Sequence, residues 1–491
     1  MKIADLFRDL PVTHIGADPG TEVSSVAYSS REVRPGALFF AIHGEKADGH
    51  AYIPQALERG AVAVVSERAA PLELARRWIQ VPMIRRALAD TGRIIFGHPE
   101  KHLRLVGITG TNGKTTTSYL IESVLAAGGI ASGVFGTIEY RMAGKTVAAT
   151  NTTPESLDLI SYFAELVRAG ARAGVMEVSS HALAQERVWG FHFEVAVFTN
   201  LTQDHLDYHK DFEHYFAAKR RLFEGLGTPP PHWAVINSGD VWGRRLLELP
   251  YPNRLTYGVS GEAQIFPKQL ASKAKGTEAV IATPGGELHI VSPLLGRANL
   301  ENILAAVATG VAMGVASTKI EEGIANLHAV PGRFERIDEG QPFLVVVDYA
   351  HTDDALKNVL KTARELTHNR LIVLFGCGGE RDRSKRPRMG EAAGALADFV
   401  VLTSDNPRGE DPLLIMADAL VGLQRTGKPY IAEVDRASAV RKALEEARSG
   451  DVVVLAGKGH ETYQVLKEGK IDFDDRLVAR QILAEMGYGK N

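Results

Sequence analysis

The segment VGITGTNGKTTTSYLIESVL, from Val106 to Leu125, decides the fold of this chain. It places glycines, a lysine and threonines between an apolar run and a stretch with helical spacing, which predicts a strand, a loop and a long helix. Backbone N–H groups of such a loop, together with the N-terminus of the helix, form an anion site. We therefore expect a phosphate loop in which Lys114 reaches the terminal phosphates and the hydroxyl of Thr115 or Thr116 binds Mg²⁺.

The spacing of this loop departs from the common pattern G-x-x-x-x-G-K-[ST], which would place its first glycine at Ile108. The glycines stand instead at Gly107, Gly110 and Gly113, so an ordinary glycine turn remains the alternative. ATP is the expected nucleotide because the chain has no guanine-reading N-K-x-D motif. The cluster GCGGERD does not have the spacing of a dinucleotide site, so NAD is not expected.

Continuous apolar runs alternate with helical stretches along most of the chain, as in AGVMEV, FEVAVFTN, RLIVLFGCG and GDVVVLAGKG. This pattern predicts an α/β protein whose parallel sheets are buried on both faces. Polar stretches near FGHPEKHLRL and HAVPGRFERI suggest two boundaries. We expect a small N-terminal α/β domain at residues 1–101, a central P-loop-type ATPase domain with a mostly parallel sheet at 102–331, and a C-terminal Rossmann-like α/β domain at 332–491.

Composition excludes several classes of function. The chain has 491 residues and a net charge of −3, so no basic field points to nucleic acid or to an anionic membrane. A single cysteine, Cys377, excludes an internal disulfide and fits a reducing cytosol. No run approaches about 18 consecutive apolar residues, and the first residues lack the apolar core of a signal peptide. We expect a soluble, cytoplasmic protein without membrane insertion.

Candidate metal ligands follow two predicted strands. Glu177 stands near the end of one strand, and Asp204 and His205 follow the next. Strands of a parallel sheet end on one edge, where a carboxylate and an imidazole can bind Mg²⁺ beside the phosphate loop. A capping or structural histidine is the alternative for His205, and zinc is disfavoured because LDY separates His205 from His209 without a glutamate.

The loop SDNPRGEDP places one arginine, Arg408, between a predicted strand and a predicted helix. Ligands of open α/β sheets bind at this edge, and a guanidinium suits a carboxylate that it contacts through two hydrogen bonds. The alternative is a solvated arginine in a surface turn.

Taken together, the motifs TGTNGKTTT, MEVSSHAL, NLTQDHLDYH, GRANLENILAA, PGRFE, DYAHTDDAL and SDNPRGEDP occur in the order found in the Mur ligases. The resemblance covers nearly the whole chain and implies an ATP-dependent amide ligase of peptidoglycan precursor synthesis. The D-N-P-R loop resembles the corresponding loop in one branch of the family. That branch adds meso-2,6-diaminopimelate to the D-glutamyl γ-carboxylate of UDP-N-acetylmuramoyl-L-alanyl-D-glutamate. Relatives that add lysine lack its arginine. The resemblance also implies a monomer that binds no nucleic acid.

The resemblance implies a role for each matching position. The ATP site would consist of Gly110, Thr111, Asn112, Gly113, Lys114, Thr115, Thr116, Asn302, Arg333 and Asp348. Mg²⁺ would be held by Thr115, Glu177, His205 and Lys219, the last as a carbamate (N6-carboxylysine), and Lys114, Lys219 and His205 would be catalytic. A solvated helix face is the alternative for Lys219.

Two substrate sites follow in the same way. The sugar nucleotide would contact Ser30, Glu45, Lys46, Ala47, Asn151, Thr152, Thr153, Ser179, Gln185 and Arg187. Meso-diaminopimelate would contact Arg381, Asp405, Asn406, Pro407, Arg408, Gly457 and Glu461. The chain has Ser29 where relatives frequently have aspartate before Ser30, which departs from the family pattern at the uridine end.

Three other functions fit part of the sequence. A lysine-adding ligase could use the same scaffold. A folylpoly-γ-glutamate synthetase shares the phosphate loop and the γ-carboxyl chemistry, but does not require the N-terminal domain or the D-N-P-R loop. A nucleotide-dependent regulatory protein would bind and slowly hydrolyse ATP without any response to an amino acid.

Overall fold

The computed structural model describes residues 1–44, 47–142, 144–273 and 276–489. Its strands form one N-terminal sheet, one large central sheet with a small antiparallel sheet beside it, and one C-terminal sheet with a separate hairpin. The predicted α/β class is confirmed. No helix in the described ranges is long and apolar enough to cross a membrane.

The N-terminal sheet is mostly parallel. Its strands are β1 (His14–Ile15), β2 (Ser25–Ala27), β3 (Ala37–Phe40), β4 (Ala63–Ser66) and β5 (Trp78–Gln80). They lie in the order β1-β5-β4-β3-β2, and only β1 runs antiparallel to its neighbour. The helices of this part are α1 (Ile3–Leu6), α2 (Ile53–Glu58) and α3 (Ile84–Phe96), with 3-10 turns at Gly49–Tyr52, Leu72–Arg77 and Pro99–His102.

The central sheet has eight strands and carries the phosphate loop. They are β6 (Arg104–Thr109), β7 (Ser132–Phe135), β8 (Glu139–Met142), β9 (Lys145–Ala148), β10 (Ala173–Glu177), β11 (Phe193–Phe198), β12 (Trp233–Asn237) and β13 (Asn253–Tyr257). Their order is β13-β12-β11-β6-β10-β7-β8-β9, and the pairs from β13 to β7 are parallel. The helices are α4 (Lys114–Ala127), α5 (Ser156–Arg168), α6 (Ser180–Ala184), α7 (Leu206–His209), α8 (Phe212–Glu224), α9 (Val241–Leu246), α10 (Arg297–Ala312) and α11 (Ser317–Asn326).

A three-stranded antiparallel sheet interrupts the expected alternation of strands and helices. It consists of β14 (Phe266–Lys273), β15 (Gly276–Thr283) and β16 (Gly286–Ser292). Buried residues alternate with exposed ones along β16, as in a sheet with one face on the core. The sequence contains a hairpin pattern that predicts this sheet, because GTEAVIAT and GELHIVS lie on either side of Pro284 and Gly285.

The C-terminal sheet is parallel except at one edge. Its strands are β17 (Glu335–Ile337), β18 (Leu344–Asp348), β19 (Leu371–Cys377), β20 (Phe399–Ser404), β21 (Tyr430–Glu433) and β22 (Val452–Ala456), and the hairpin is β23 (Tyr463–Leu466) with β24 (Gly469–Asp472). The order is β17-β18-β22-β19-β20-β21, with β17 antiparallel. The helices are α12 (Asp353–Glu365), α13 (Lys385–Leu396), α14 (Pro412–Gln424), α15 (Arg436–Glu446) and α16 (Asp475–Glu485).

Burial explains why the central strands of these sheets are apolar throughout. Every residue of β10, β19 and β22 is buried, because helices cover both faces of each sheet. The neighbours β10, β6 and β11 run parallel, so their carboxyl ends share one edge. The loops that leave this edge carry the candidate functional residues.

Candidate active site

The phosphate loop connects β6 to α4, and two of its glycines are required by close contacts. Gly110 has φ +148°, and a Cβ atom there would lie 1.9 Å from Thr199 Oγ1. Gly113 has φ +87°, and a Cβ atom there would lie 2.3 Å from Asn302 Oδ1. These positions accept only glycine without a shift of the backbone or its neighbours, although their spacing departs from the common pattern.

Asn200 and Thr199 hold this loop in place. The sequence interpretation did not single out either residue. Asn200 accepts hydrogen bonds from Thr111 N at 2.8 Å through its carbonyl and from Asn112 N at 2.9 Å through Oδ1. Thr199 Oγ1 donates to Asn112 O at 2.7 Å. Both residues follow β11 directly, so the end of the neighbouring strand fixes the loop.

Two lysines, the partly buried Lys114 and the fully buried Lys219, converge on one carbonyl of the loop. Lys114 Nζ donates to Gly110 O at 2.9 Å and to Thr111 O at 2.8 Å, and Lys219 Nζ donates to Gly110 O at 2.7 Å. Burial lowers the pKa of Lys114, and the charges of Glu177 and Asp204 oppose that effect. Burial lowers the pKa of Lys219 much further, and the charge of Lys114 adds to the shift. Lys219 is therefore a core residue and not the solvated one of the alternative interpretation.

A cavity of about 410 Å³ opens beside the loop and reaches from the central sheet to the C-terminal sheet. Its lining includes much of the expected nucleotide site, namely Thr111, Asn112, Gly113, Lys114, Thr116, Asn302, Arg333 and Asp348. It also includes Thr152, Ser179, Asp204 and His205 from the other expected sites. The structure thus brings together residues that are more than 200 positions apart.

The C-terminal wall of this cavity is fixed by Asp348 at the end of β18. Its carboxylate accepts hydrogen bonds from Phe334 N at 2.8 Å and Ala350 N at 2.9 Å. Burial raises the pKa of Asp348, and the charge of Arg333 opposes the shift. Arg333 Nη2 donates to Thr115 Oγ1 at 3.3 Å, so this arginine joins the C-terminal part to the first turn of α4.

Glu177 and His205 lie at the expected edge of the central sheet. Glu177 is buried at the end of β10, and its two oxygens accept from Thr137 N at 2.9 Å and Thr137 Oγ1 at 3.0 Å. His205 has φ +53° and lies 3.5 Å from Asp204, and burial lowers the pKa of its imidazole to about 4. A buried carboxylate beside a phosphate loop is an oxygen ligand of the kind that Mg²⁺ prefers, and a neutral imidazole can also bind a metal ion. Within the described ranges, no three His, Cys, Asp or Glu side chains converge as a preformed metal cluster.

Most of the residues expected at the muramoyl-peptide end form one hydrogen-bonded network next to Glu177. Thr153 Oγ1 donates to Glu177 O at 2.9 Å and accepts from Ser179 N at 3.0 Å. Arg187 donates to Thr153 O at 2.8 Å and to Gln185 Oε1 at 2.8 Å. Thr152 joins the network through Thr137, with the two Oγ1 atoms 3.2 Å apart. Asn151 lies outside it, and its backbone N donates to Tyr140 OH at 3.0 Å.

The residues expected at the uridine end are described only in part. Ser30 is buried and donates to Gln55 Oε1 at 2.7 Å. Ala47 O accepts from Gly44 N at 3.0 Å. Glu45 and Lys46 lie outside the described residues.

The D-N-P-R loop lies between β20 and α14, as predicted. Arg408 has φ +53°, a left-handed backbone conformation that is uncommon for residues other than glycine. Such conformations occur often at functional sites. Its Nη1 donates to Gly379 O at 2.7 Å, which directs the guanidinium back over the GCGGERD loop. Pro407 O accepts from Glu410 N at 3.1 Å and closes the turn, and Arg381 of the facing loop is exposed.

Polar side chains from the D-N-P-R loop and from the loop after β22 converge on a buried lysine. Asn406 Nδ2 donates to Glu461 Oε2 at 2.9 Å. Lys458 Nζ lies 3.3 Å from Asp405 Oδ1 and 3.2 Å from Glu461 Oε2. Gly457 N donates to Asp348 O at 3.0 Å, so this pocket adjoins the wall of the cavity. The sequence interpretation did not name Lys458, although it lies inside the quoted run GDVVVLAGKG.

Comparison with known proteins assigns the class. Residues 22–111 match the Mur ligase family catalytic domain, residues 108–310 the Mur ligase middle domain and residues 332–459 the Mur ligase glutamate ligase domain. The chain belongs to the Mur ligase family.

Relatives narrow the comparison to one branch of that family. The chain is 58% identical over 468 residues to the UDP-N-acetylmuramoyl-L-alanyl-D-glutamate--2,6-diaminopimelate ligase of Solibacter usitatus, covering 95% of each chain. It is 46% identical to the ligase of the same name from Geobacter metallireducens, covering 100% of both. A solved structure of a ligase with that name superposes with a TM-score of 0.70 at 33% identity, covering 99% of both chains.

Proposed function

We propose that this protein is the ATP-dependent ligase that adds meso-2,6-diaminopimelate to the D-glutamyl γ-carboxylate of UDP-N-acetylmuramoyl-L-alanyl-D-glutamate. The observation that carries the proposal is the position of Arg408 in the loop after β20, two residues from Asn406, whose Nδ2 donates to Glu461 Oε2 at 2.9 Å. The names and near-complete coverage of the relatives support the same reaction.

Arg408 explains the choice of amino acid. Diaminopimelate differs from lysine by one additional carboxylate at its far end, and a guanidinium can contact that group through two hydrogen bonds. Lysine would leave the arginine without this partner, and an unpaired charged donor in a pocket costs about 1–3 kcal/mol or more. The same far end carries an ammonium, which suits the carboxylates of Asp405 and Glu461.

The first chemical step activates the carboxylate. The D-glutamyl γ-carboxylate attacks the γ-phosphorus of ATP, forms an O–P bond and releases ADP, which leaves an acyl phosphate. Gly110 to Thr116 hold the phosphates, and Lys114 offsets the negative charge that gathers there. We assign Thr115, Glu177, His205 and carbamylated Lys219 as the ligands of Mg²⁺, which supplies further compensation of phosphate charge when bound.

Lys219 is suited to carbamylation because burial lowers its pKa and favours the neutral amine. The amine nitrogen adds to CO₂, loses a proton and becomes an anionic carbamate. A cation that lacks a carboxylate partner thereby becomes an oxygen ligand next to the phosphate loop.

The second step joins the two substrates. The neutral amine of diaminopimelate attacks the acyl carbon and forms the C–N bond, the C–O bond to phosphate breaks, and the proton lost from nitrogen ends on the released phosphate. Asn302, Arg333 and Asp348 would place the nucleotide, and Asn151, Thr152, Thr153, Ser179, Gln185 and Arg187 would place the muramoyl peptide. Ser30, Glu45, Lys46 and Ala47 would place the uridine end. Positioning of three substrates at one junction accounts for much of the rate enhancement.

Three further expectations belong to this proposal. The domain division at residues 101/102 and 331/332 assigns one substrate to each part of the chain. A cytoplasmic monomer suits substrates, ATP and UDP-linked sugars, that are made in the cytoplasm. Size-exclusion chromatography with light scattering tests the monomer, since a stable dimer would double the mass.

The test of the reaction is an omission experiment. Purified protein receives ATP, Mg²⁺, the UDP-linked dipeptide and diaminopimelate, and mass spectrometry follows the UDP-linked tripeptide. We expect product only with all components, and ¹⁸O from a labelled γ-carboxylate should appear in the released phosphate. ATP hydrolysis that no amino acid accelerates, with no tripeptide formed, would contradict the proposal.

A further inference from the structure

Lys458 is a buried lysine whose loop is shaped to point it inward. It follows β22 and lies between Gly457 and Gly459, which have φ +115° and +52°. A Cβ atom at Gly459 would lie 2.6 Å from Tyr349 Cβ, so the loop packs against the end of β18. The lysine side chain has no exposed surface.

The ammonium of Lys458 is enclosed by three groups of the amino-acid pocket. It donates to Asn406 Oδ1 at 3.1 Å and to Glu461 Oε2 at 3.2 Å, and it lies 3.3 Å from Asp405 Oδ1. Asn406 Oδ1 also accepts from Val465 N at 2.9 Å, while its Nδ2 donates to Glu461. Lys458 and Val465 N thus set which way the Asn406 amide faces, and Lys458 holds Glu461 beside it.

The charges around this lysine do not cancel. Two carboxylates, Asp405 and Glu461, face one ammonium, and the nearby Arg436 is matched by Asp475 at 2.7 Å, with both side chains fully buried. Burial alone would raise the pKa of Asp405, but the charges of Lys458 and Arg436 outweigh it and hold that pKa below its ordinary value. One net negative charge remains for a ligand.

We propose that Lys458 is a positioning residue that sets the charge and geometry of the amino-acid pocket. With Lys458 in place, the pocket offers one net negative charge for the far ammonium of diaminopimelate, and Arg408 offers one positive charge for the carboxylate beside it. The inference rests on the proposed function and adds to it a residue that acts through Asp405, Asn406 and Glu461.

Loss of Lys458 leaves two carboxylates without their shared cation and Asn406 without one of its two donors. The two carboxylates then repel each other and take up a proton or a solvent cation, so the pocket loses the arrangement that suits the substrate ammonium. Binding of diaminopimelate should weaken while the nucleotide and sugar-nucleotide sites, which lie on other elements, remain intact.

The first arm of the test compares Lys458→Met with wild type by steady-state phosphate release. We expect the KM for diaminopimelate to rise about tenfold or more, and the KM values for ATP and the UDP-linked dipeptide to stay within about twofold. Lys442→Met is the matched control, because that exposed lysine on α15 pairs with Glu433 away from the pocket. If Lys458→Met does not fold, Lys458→Gln replaces it in every arm.

The second arm separates charge from packing. Asp405→Asn added to Lys458→Met restores one net negative charge, so the double variant should bind diaminopimelate better than Lys458→Met alone. An unchanged KM for diaminopimelate, an equal rise in all three KM values, or a double variant that binds diaminopimelate no better than Lys458→Met would overturn the inference. A wild type with no diaminopimelate-dependent turnover would instead overturn the proposed function.

Discussion

Lys219 and Lys458 are both buried lysines at the candidate active site, yet their surroundings are opposite. Lys219 on α8 donates to the carbonyl of Gly110 and has no ion-pair partner in the described part of the chain. Lys458 after β22 lies within 3.3 Å of one carboxylate and 3.2 Å of another. Burial without a counter-charge favours a neutral amine, whereas burial among carboxylates favours an ion pair.

The comparison indicates that the charged partners of a buried lysine, more than its burial, determine whether it reacts as an amine or holds other side chains in place. Lys219 suits a reaction at nitrogen, because its pKa falls and the nearby charge of Lys114 disfavours a second cation. Lys458 suits a fixed role, because its ammonium organises the carboxylates that face the substrate. The two lysines lie at the sites that we propose for the two halves of the reaction.

The largest expected effect comes from breaking the ion pair behind the Lys458 pocket. Asp475→Asn leaves Arg436 as an unpaired buried charge and should lower the free energy of unfolding of the C-terminal part by about 3–5 kcal/mol. The tryptophans are Trp78, Trp189, Trp233 and Trp242, so their fluorescence does not report on this part. Hydrogen exchange of β18 and β22 is the suitable measurement.

A matched control for this change is Glu485→Gln, which removes an exposed carboxylate that pairs with Arg441. Exposed pairs contribute about 0–1 kcal/mol, so exchange should hardly change. Equal effects of the two substitutions would contradict the role assigned to the buried pair.

Removal of the unpaired lysine should abolish most of the turnover. Lys219→Ala should lower kcat by about 10²–10³-fold, because the carbamate that would hold Mg²⁺ beside the phosphates is lost. Arg220→Ala is the control on the same helix, since Arg220 pairs with Glu224 at the surface. A Lys219→Ala variant with more than about a tenth of wild-type kcat would show that no carbamate is needed.

A smaller effect should follow from depleting CO₂ around the wild-type enzyme. Activity should fall several-fold in CO₂-free buffer and return on addition of bicarbonate. The pKa of Lys219 is lowered by burial, so the neutral amine persists well below the ordinary lysine range, but further acidification protonates it. Reactivation should therefore slow as the pH falls, and a rate of reactivation independent of pH would contradict the assignment.

The fold was largely predictable because apolar runs alternate with helical stretches. The runs around Val106, Val175, Val373 and Val454 became the buried parallel strands β6, β10, β19 and β22. The antiparallel sheet of β14 to β16 was missed because its strands follow one another without helices, against the pattern of the rest of the chain. Its alternation of apolar and polar residues was a usable signal.

The candidate site was predictable only where its residues lie in one motif or end a strand beside that motif. Gly113 and Lys114 share a loop whose conformation is local, and Glu177 ends a strand next to that loop. Lys458 and Asp405 are 53 positions apart, and no local pattern predicts that they meet. The Arg436–Asp475 pair and the support of the loop by Asn200 likewise depend on tertiary packing.

The most direct test of the central claim is the selectivity between meso-diaminopimelate and L-lysine. Phosphate release is measured with each amino acid for wild type and for Arg408→Lys. We expect wild type to respond to diaminopimelate with a kcat/KM at least about tenfold above that for lysine. We expect Arg408→Lys to lose most of this preference. Equal kcat/KM values for the two amino acids with the wild-type enzyme would contradict the role assigned to Arg408.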